Sequence, residues 1–395
     1  MNGPPLQPTL LTHRSRIDSV DLLRGIVMVV MALDHARDFF SDTVFKFDPT
    51  DLSQTTPALF VTRWVTHFCA PVFVFLAGTS AYLWQTRGRT KGELSRFLLT
   101  RGLFLVLLDL TVIRFTWFWE TNWRFAFVQV IWVTGWSMII LAALIHLPRW
   151  FIAALAIGVS AGHNLLDTVL TSKDTTWGIV WRFLHMRDFV EPIHGFHVLI
   201  MYPLVPWFAV LAAGYAFGLI VTLDAHCRRR WFLTLGLAMI AAFIVLRGLN
   251  VYGDPRPWTP QNDALFTLFS FLNCEKYPPS LLFLLMTIGP AITALAIFDR
   301  PPGPVGRWFV VFGRVPMFFY LIHAPLLRLL ACLAMLPRYG AGVFTLDLMR
   351  PPSDFGFSLP VVYAAWIGAV VTLYFPCRWY AGVKQRRRDW WLSYL

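Results

Sequence analysis

Apolar runs of about 20 residues or more recur along almost the whole chain, broken by short polar or basic segments. They fall near 20–40, 57–84, 97–118, 125–145, 150–171, 196–222, 231–251, 278–298, 308–336 and 358–377. A helix rising about 1.5 Å per residue needs about 20 residues to cross about 30 Å of hydrocarbon. Backbone polar groups in lipid must be satisfied within the segment, so these runs predict helices and not strands. The pattern predicts an all-α polytopic membrane protein, a bundle of about ten transmembrane helices. Long connections at 41–56, 172–195, 252–277 and 337–357 alternate with short ones.

The basic residues between the runs orient the bundle. Taking the N-terminus as cytoplasmic, the inner segments hold 17 Lys and Arg, among them Arg228–Arg230 and Arg386–Arg388, and the outer segments hold nine. That bias predicts both termini in the cytoplasm and all four long connections outside. Residues 1–15 are Pro-rich and polar and read as a disordered cytoplasmic N-terminus. Residues 16–383 read as one transmembrane domain without internal repeats, and 384–395 as a basic, aromatic cytoplasmic tail. The first apolar run lacks a small-residue cleavage site and is expected to serve as a retained signal anchor. The clusters FTWFWETNW (115–123) and RDWWLSYL (388–395) suit an interfacial aromatic belt. In DTTWGIVWRFLHMRDF (174–189), Trp177, Trp181 and His185 recur at i, i+4 and i+8, predicting an amphipathic helix on the outer leaflet.

Composition narrows the class further. Of 395 residues 57% are apolar and only 14% charged, against roughly 25% charged in a soluble domain. With a mean hydropathy of +0.57, the chain cannot cover itself with a polar surface. The net charge of +12 lies in short runs between apolar segments and comes with no basic groove or stacking motif, so nucleic acid is not expected as a partner. Five cysteines without metal spacing imply neither a disulfide framework nor a zinc site.

Ionisable residues inside spanning helices cost about 2.5–3.5 kcal/mol each on insertion scales, so each needs a reason. The first helix carries Arg24 near its inner end and Asp34, His35, Arg37 and Asp38 toward the outer one. Arg24 and His35 are eleven residues apart, which returns them to within about 20° of one face and separates them by about 16 Å. Gly25 permits close approach of a backbone or a ligand beside Arg24. Snorkelling of Arg24 to the interface and an interhelical hydrogen bond from His35 are the plainer readings. The second helix carries His67, followed by Pro71, which should break the local ladder, and by the small residues Gly78 and Ser80. The third carries Arg101, Asp109 and Arg114, where Asp109 with an Arg suits a buried ion pair. The ninth carries Arg314, Tyr320 and His323, the last two at i, i+3. Counted from the helix ends, His35, His67 and His323 could share one layer. EPIHGFH (191–197) holds His194 and His197, a metal pair at i, i+3 only if helical, with Gly195 between them and no third ligand. No metal is expected. CEKYPPS (274–280) sets Lys276, Tyr277 and a proline pair at the mouth of the eighth helix.

RIDSVDLLRGIVMVVMALDH followed by THFCAPVFVFLAGTS resembles the heparan-alpha-glucosaminide N-acetyltransferase catalytic-domain family, in its bacterial branch. YPLVPWFAVLAAGYAFG, KYPPSLLFLLMTIGP, FGRVPMFFYLIHAPL and the terminal WWLSYL look like the same branch, so the likeness runs from about Arg16 to the C-terminus. The family belongs with the transmembrane acyltransferases, which include the acyltransferase-3 O-acetylases, whose first helix has an Arg, ten residues and then an essential His. Arg24 and His35 match that spacing. The resemblance implies acyl transfer, acetyl above all, from cytosolic acetyl-CoA or another acyl-CoA to a hydroxyl or amine of a saccharide or glycolipid at the outer face, in a bacterial cytoplasmic (inner) membrane. One departure stands out. The animal enzyme places its active-site His between the first two helices, near the second, and here no histidine lies between His35 and His67.

On this reading Arg24 pairs with CoA phosphates, with Gly25 and Arg314 beside the cofactor. His35, oriented by Asp34 or Asp38, is the general base. Tyr320 or Arg314 stabilises the oxyanion, and His67 and His323 complete the catalytic set. Direct transfer and an acyl-His relay both remain open. The rival is a proton-coupled transporter of a small solute or lipid, which would use the same intramembrane His, Asp and Arg.

Overall fold

The computed structural model describes residues 18–44, 46–119, 123–346, 350–387 and 389–394. The expected N-terminal tail at 1–15, Arg388 and part of the 115–123 aromatic cluster lie outside the described residues. Helix α1 (Asp18–Phe40) is followed by α2 (Pro57–Thr66), α3 (Cys69–Gln85), α4 (Lys91–Leu108), α5 (Arg114–Phe118), α6 (Val130–Leu144) and α7 (Arg149–Gly162). The chain continues through α8 (Thr176–His185), α9 (Leu204–Val221), α10 (Ala225–Leu249), α11 (Ala264–Leu272) and α12 (Leu281–Phe298). It closes with α13 (Pro304–Arg314), α14 (Pro316–Tyr339) and α15 (Leu359–Arg386).

Six helical stretches among the described residues are long and apolar enough to cross a membrane. They are Pro57–Gln85, Leu204–Val221, Ala225–Leu249, Leu281–Phe298, Pro316–Thr345 and Leu359–Arg386. The chain is an integral membrane protein built mainly of helices. The other four predicted runs are also helical but do not meet that standard. Helix α1 is 23 residues long but carries Arg24, Asp34, Arg37 and Asp38. Helix α4 runs into a π-helical segment, Asp109–Ile113, before α5. Helices α6 and α7 have 15 and 14 residues, about 21–23 Å of rise, short of the hydrocarbon thickness.

The sequence pattern fails at two run starts, which are strands. Strands β1 (Phe125–Val128), β2 (Asp188–Ile193) and β3 (Phe196–Ile200) form one sheet in the order β1-β3-β2. β1 and β3 pair in parallel, Phe125 opposite His197 and Val128 opposite Ile200, and β2 and β3 form an antiparallel hairpin. Their aromatic and β-branched residues suit a half-buried strand, and their backbone groups are paired within the sheet instead of being presented to lipid. Gly195, at φ +77°, makes the hairpin turn. His194 and His197 are therefore not neighbours on a helix face, and the conditional metal pair does not form. His194 is exposed beside Glu191 at 3.4 Å, and His197 stacks on Phe189 at 5.3 Å between centroids.

Close helix approach organises the core. A Cβ built on Gly25 would lie 2.0 Å from the Phe309 carbonyl oxygen, and one on Gly313 1.8 Å from that of Asp21, so α1 and α13 meet backbone to backbone. Gly78 of α3 and Gly214 of α9 make the same contact, with distances of 1.9 Å to the Leu211 and Phe75 oxygens. Between α2 and α3 the helix is interrupted at His67 and Phe68, four residues before Pro71, whose ring blocks a bond to the carbonyl at that distance.

All four long connections meet at one end of the bundle. Phe357 N–H donates to the Phe40 carbonyl at 2.7 Å, and Lys46 Nζ to that of Ser353 at 2.9 Å. Asn273 Nδ2 donates to the Thr50 carbonyl at 3.0 Å. Buried Arg247 of α10 fastens the 252–277 connection by donating to the carbonyls of Arg256, Ser270, Phe271 and Asn273. The amphipathic stripe predicted over 174–189 becomes α8, which turns Trp181 and His185 into the protein and leaves Trp177 exposed.

Candidate active site

Beneath the long connections lies a cavity of about 600 Å³. One wall is the last third of α1, presenting Asp34, His35, Arg37 and Asp38, and the opposite wall is Arg63, Thr66, Cys69 and Phe73 of α2 and α3. Trp117, Phe127, Gln129 and Tyr320 line the floor, and Asp48, Arg187, Tyr202, Lys276 and Tyr277 the rim. Three of the four connections, 41–56, 172–195 and 252–277, thus contribute side chains to a chamber that the helices alone leave open.

His35 sits where α1 meets α5 and α14. Its ring packs edge-on against Trp117 at 4.8 Å and against His323 at 5.0 Å between centroids. Nδ1 lies 3.6 Å from Asp38 Oδ2, an ion-pair distance longer than a hydrogen bond. His323 is buried behind His35, with Nδ1 3.1 Å from the Phe319 carbonyl oxygen and Nε2 without a protein partner. Tyr320, three residues before His323 on α14, lines the cavity with a hydroxyl that has no protein partner. Gln129 Nε2 is likewise unbonded.

Asp34 does not face His35. Both its oxygens accept from Arg63 Nη1 at 2.7 Å, Thr66 Oγ1 donates at 3.0 Å, and Arg37 stands at 3.1 Å. Arg37 also pairs with Asp38 at 2.7 Å. The result is an alternating chain of charge, Arg63–Asp34–Arg37–Asp38, that ends at His35. At the rim, Lys276 and Arg187 stand 5.2 and 5.1 Å from the centre of the Tyr277 ring. Neither has a carboxylate within ion-pair distance among the described residues. Burial favours the neutral Tyr277 phenol, but the cations of Lys276 and Arg63 outweigh it and lower its pKa below the ordinary tyrosine value. Burial also works against ionised Asp48, yet the Thr50 N–H and hydroxyl, at 2.9 and 2.8 Å, hold its carboxyl below the usual range.

The remaining predicted site residues lie elsewhere. His67 is buried at the end of α2 against Phe283, 5.4 Å between centroids, and does not line the cavity, so the shared layer comprises His35 and His323. Arg24 donates to Asp21 at 3.1 Å, to the Gly313 carbonyl at 3.2 Å and to Ser80 Oγ at 2.6 Å. Gly25 is occupied by the backbone of α13, not by space for a ligand. Arg314 pairs with Asp18 at 3.6 Å and keeps 32% of its side chain exposed. Asp109 makes no ion pair with an Arg among the described residues. Its carboxylate accepts from Gln129 N–H at 3.3 Å, capping the start of α6. Arg114 instead donates to the Phe125 carbonyl at 2.5 Å. Sequence reasoning passed over Arg63, although an Arg inside the apolar 57–84 run, four residues before His67, carries the same signal as those of α1. Trp117 was visible only as part of the 115–123 aromatic cluster, and Gln129 and Arg187 had no local signal, because they lie between regular helices.

A possible metal-binding donor set also exists, apart from this cavity: His163, Asp167 and His185 bring one donor atom each within 4.8 Å of one another.

The heparan-alpha-glucosaminide N-acetyltransferase catalytic family matches residues 16–252, well over half of the chain and including His35 and its wall of the cavity. No curated protein matches the chain significantly.

Proposed function

The chain belongs to the heparan-alpha-glucosaminide N-acetyltransferase catalytic family, and from that premise we propose that it moves an acetyl group from acetyl-CoA to a hydroxyl or amine of a saccharide or glycolipid across a bacterial cytoplasmic membrane. The observation that carries this reading is the placement of His35 beside Asp38, with the unbonded Tyr320 hydroxyl lining the same cavity. His35 is the general base. It takes the proton of the acceptor as the acceptor's oxygen or nitrogen attacks the thioester carbonyl. The C–S bond breaks, and the CoA thiolate leaves with a proton returned from the imidazolium. Asp38 stabilises that imidazolium. The Tyr320 hydroxyl and Gln129 Nε2 are donors suited to the thioester oxyanion. His323 sets the ring plane of His35 and is a positioning residue.

The long-connection end of the cavity receives the acceptor, and Lys276 and Arg187 offer it unpaired positive charge. The acyl donor arrives from the opposite end of α1. There Arg314, partly exposed, is better placed than Arg24 to meet a CoA phosphate, since three groups already engage the Arg24 guanidinium. Purified protein is expected to consume acetyl-CoA in the presence of an amino- or hydroxy-sugar acceptor. His35→Ala should lower that rate by about 10²–10⁴-fold at unchanged expression. Full activity of His35→Ala would overturn the assignment, and solute counter-flow without CoA dependence would favour the transporter instead.

A further inference from the structure

The geometry points to a structural zinc site at His163, Asp167 and His185, which clips the end of α7 to the end of α8. His163 opens the 3-10 turn His163–Leu166 directly after α7, and His185 is the last residue of α8. Both imidazoles are 2% exposed, and neither ring nitrogen of His163 makes a hydrogen bond of ordinary geometry, the Pro279 backbone being the one polar group that the ring is close to engaging. A buried imidazole left in that condition is costly unless something else engages it. Asp167 completes the set. Its Oδ2 accepts from Asn164 Nδ2 at 2.9 Å, and its Oδ1 lies 3.7 Å from His185 Nε2. His185 is held in place by stacking on Trp181, 5.3 Å between centroids, and its Nε2 lies 3.0 Å from the His163 carbonyl oxygen, a contact that coordination through that nitrogen replaces.

The donor chemistry selects the metal. Two imidazoles and one carboxylate suit Zn²⁺, whereas Ca²⁺ and Mg²⁺ require oxygen shells. Metal–donor bonds of about 2.0–2.2 Å place tetrahedral donors about 3.4 Å apart. The Asp167–His185 pair is already near that separation. The set as a whole, within 4.8 Å, closes onto an ion when side-chain rotations bring its widest pair at most about 1.4 Å nearer. A tetrahedral ion held by three protein donors leaves its fourth position to water. None of the three residues lines the acyl-transfer cavity, so the ion contributes cohesion and not chemistry. The turn it holds is tied to α12 by the Leu281 N–H, which donates to Asn164 Oδ1 at 3.0 Å. Two residues beyond His185 the chain reaches Arg187 at the cavity rim. The site therefore fixes the segment that delivers that cation.

The test uses full-length protein purified on a histidine-free tag without chelator. Elemental analysis is expected to find about one zinc per chain. Chelation should lower the unfolding midpoint by about 5 °C, and added Zn²⁺ should restore it. Co²⁺ loaded into the stripped protein should give the visible absorption of a tetrahedral site. Asp167→Asn, which keeps the Asn164 contact, should lose the metal and the thermal response while remaining folded, and His163→Ala should lose them as well. Metal-free wild-type protein with no thermal response to Zn²⁺ would overturn the site. Zinc content unchanged in both variants would overturn it equally. Neither result depends on acyl transfer.

Discussion

On the proposed mechanism, charged side chains in the wall of the cavity divide between chemistry and cohesion, and two substitutions separate the roles. Asp34, though adjacent to His35 in sequence, spends both oxygens on Arg63. Asp38, one turn away, faces the imidazole. Asp38→Asn is expected to lower kcat for acyl transfer by 10-fold or more without changing the unfolding temperature, because Arg37 retains Asp34 as a partner. Arg63→Ala should act through stability. It strips a mostly buried carboxylate of its bidentate partner, a change that costs about 3–5 kcal/mol when no other cation is near, and Arg37 at 3.1 Å moderates the loss. Thermal unfolding in detergent beside steady-state kinetics distinguishes the two. A fall in stability for Asp38→Asn equal to that for Arg63→Ala would refute the division. At this scale the sequence was informative about residue type and silent about direction. Four polar residues within five positions near the outer end of α1 raised the expectation of a site, but only the packing of α2, α5 and α14 shows which carboxylate meets the imidazole.

Among the elements, α1 is the axis of the site because glycine lets α13 approach it so closely. Gly25 and Gly313 lie where a Cβ would fall at 2.0 and 1.8 Å from carbonyl oxygens of the facing helix. Gly313→Val is expected to abolish stable expression or lower the unfolding temperature sharply, as is Gly214→Val at the α3–α9 contact. Gly158→Ala, whose Cβ would meet nothing within 4 Å, should be neutral or slightly stabilising. Equal tolerance of all three would show that these contacts do not set the packing. Helix existence was readable from run length and hydropathy, and Pro71 correctly marked a break. The strands were not readable. FAFV and FHVLI are as apolar as the helices they precede, and a short apolar run does not report its own period. What decides for strand is a partner across the sheet, 72 residues away in sequence, as Phe125 is from His197.

For the molecule as a whole, the four long connections converge on one end, and three of them close the cavity that the helices frame. Cysteines placed at Ser53, Lys173 and Gln261 should therefore react together with a membrane-impermeant maleimide in intact cells, and native Cys227, exposed at the far end of α10, only after permeabilisation. Labelling of Cys227 alongside any of the three in intact cells would contradict the arrangement. The membrane class, the helical character and the concentration of ionisable residues on α1 follow from sequence alone, because lipid demands long apolar helices and makes each buried charge expensive enough to notice. The number of stretches long enough to span, the pairing of His35 with His323 and Asp38, and the diversion of Arg24 into an internal network were decided only by tertiary structure. So was the meeting of His163, Asp167 and His185. Each depends on which faces of separate segments come into contact. A one-dimensional pattern records how far apart such residues are along the chain, and not which of them share a space a few ångströms wide.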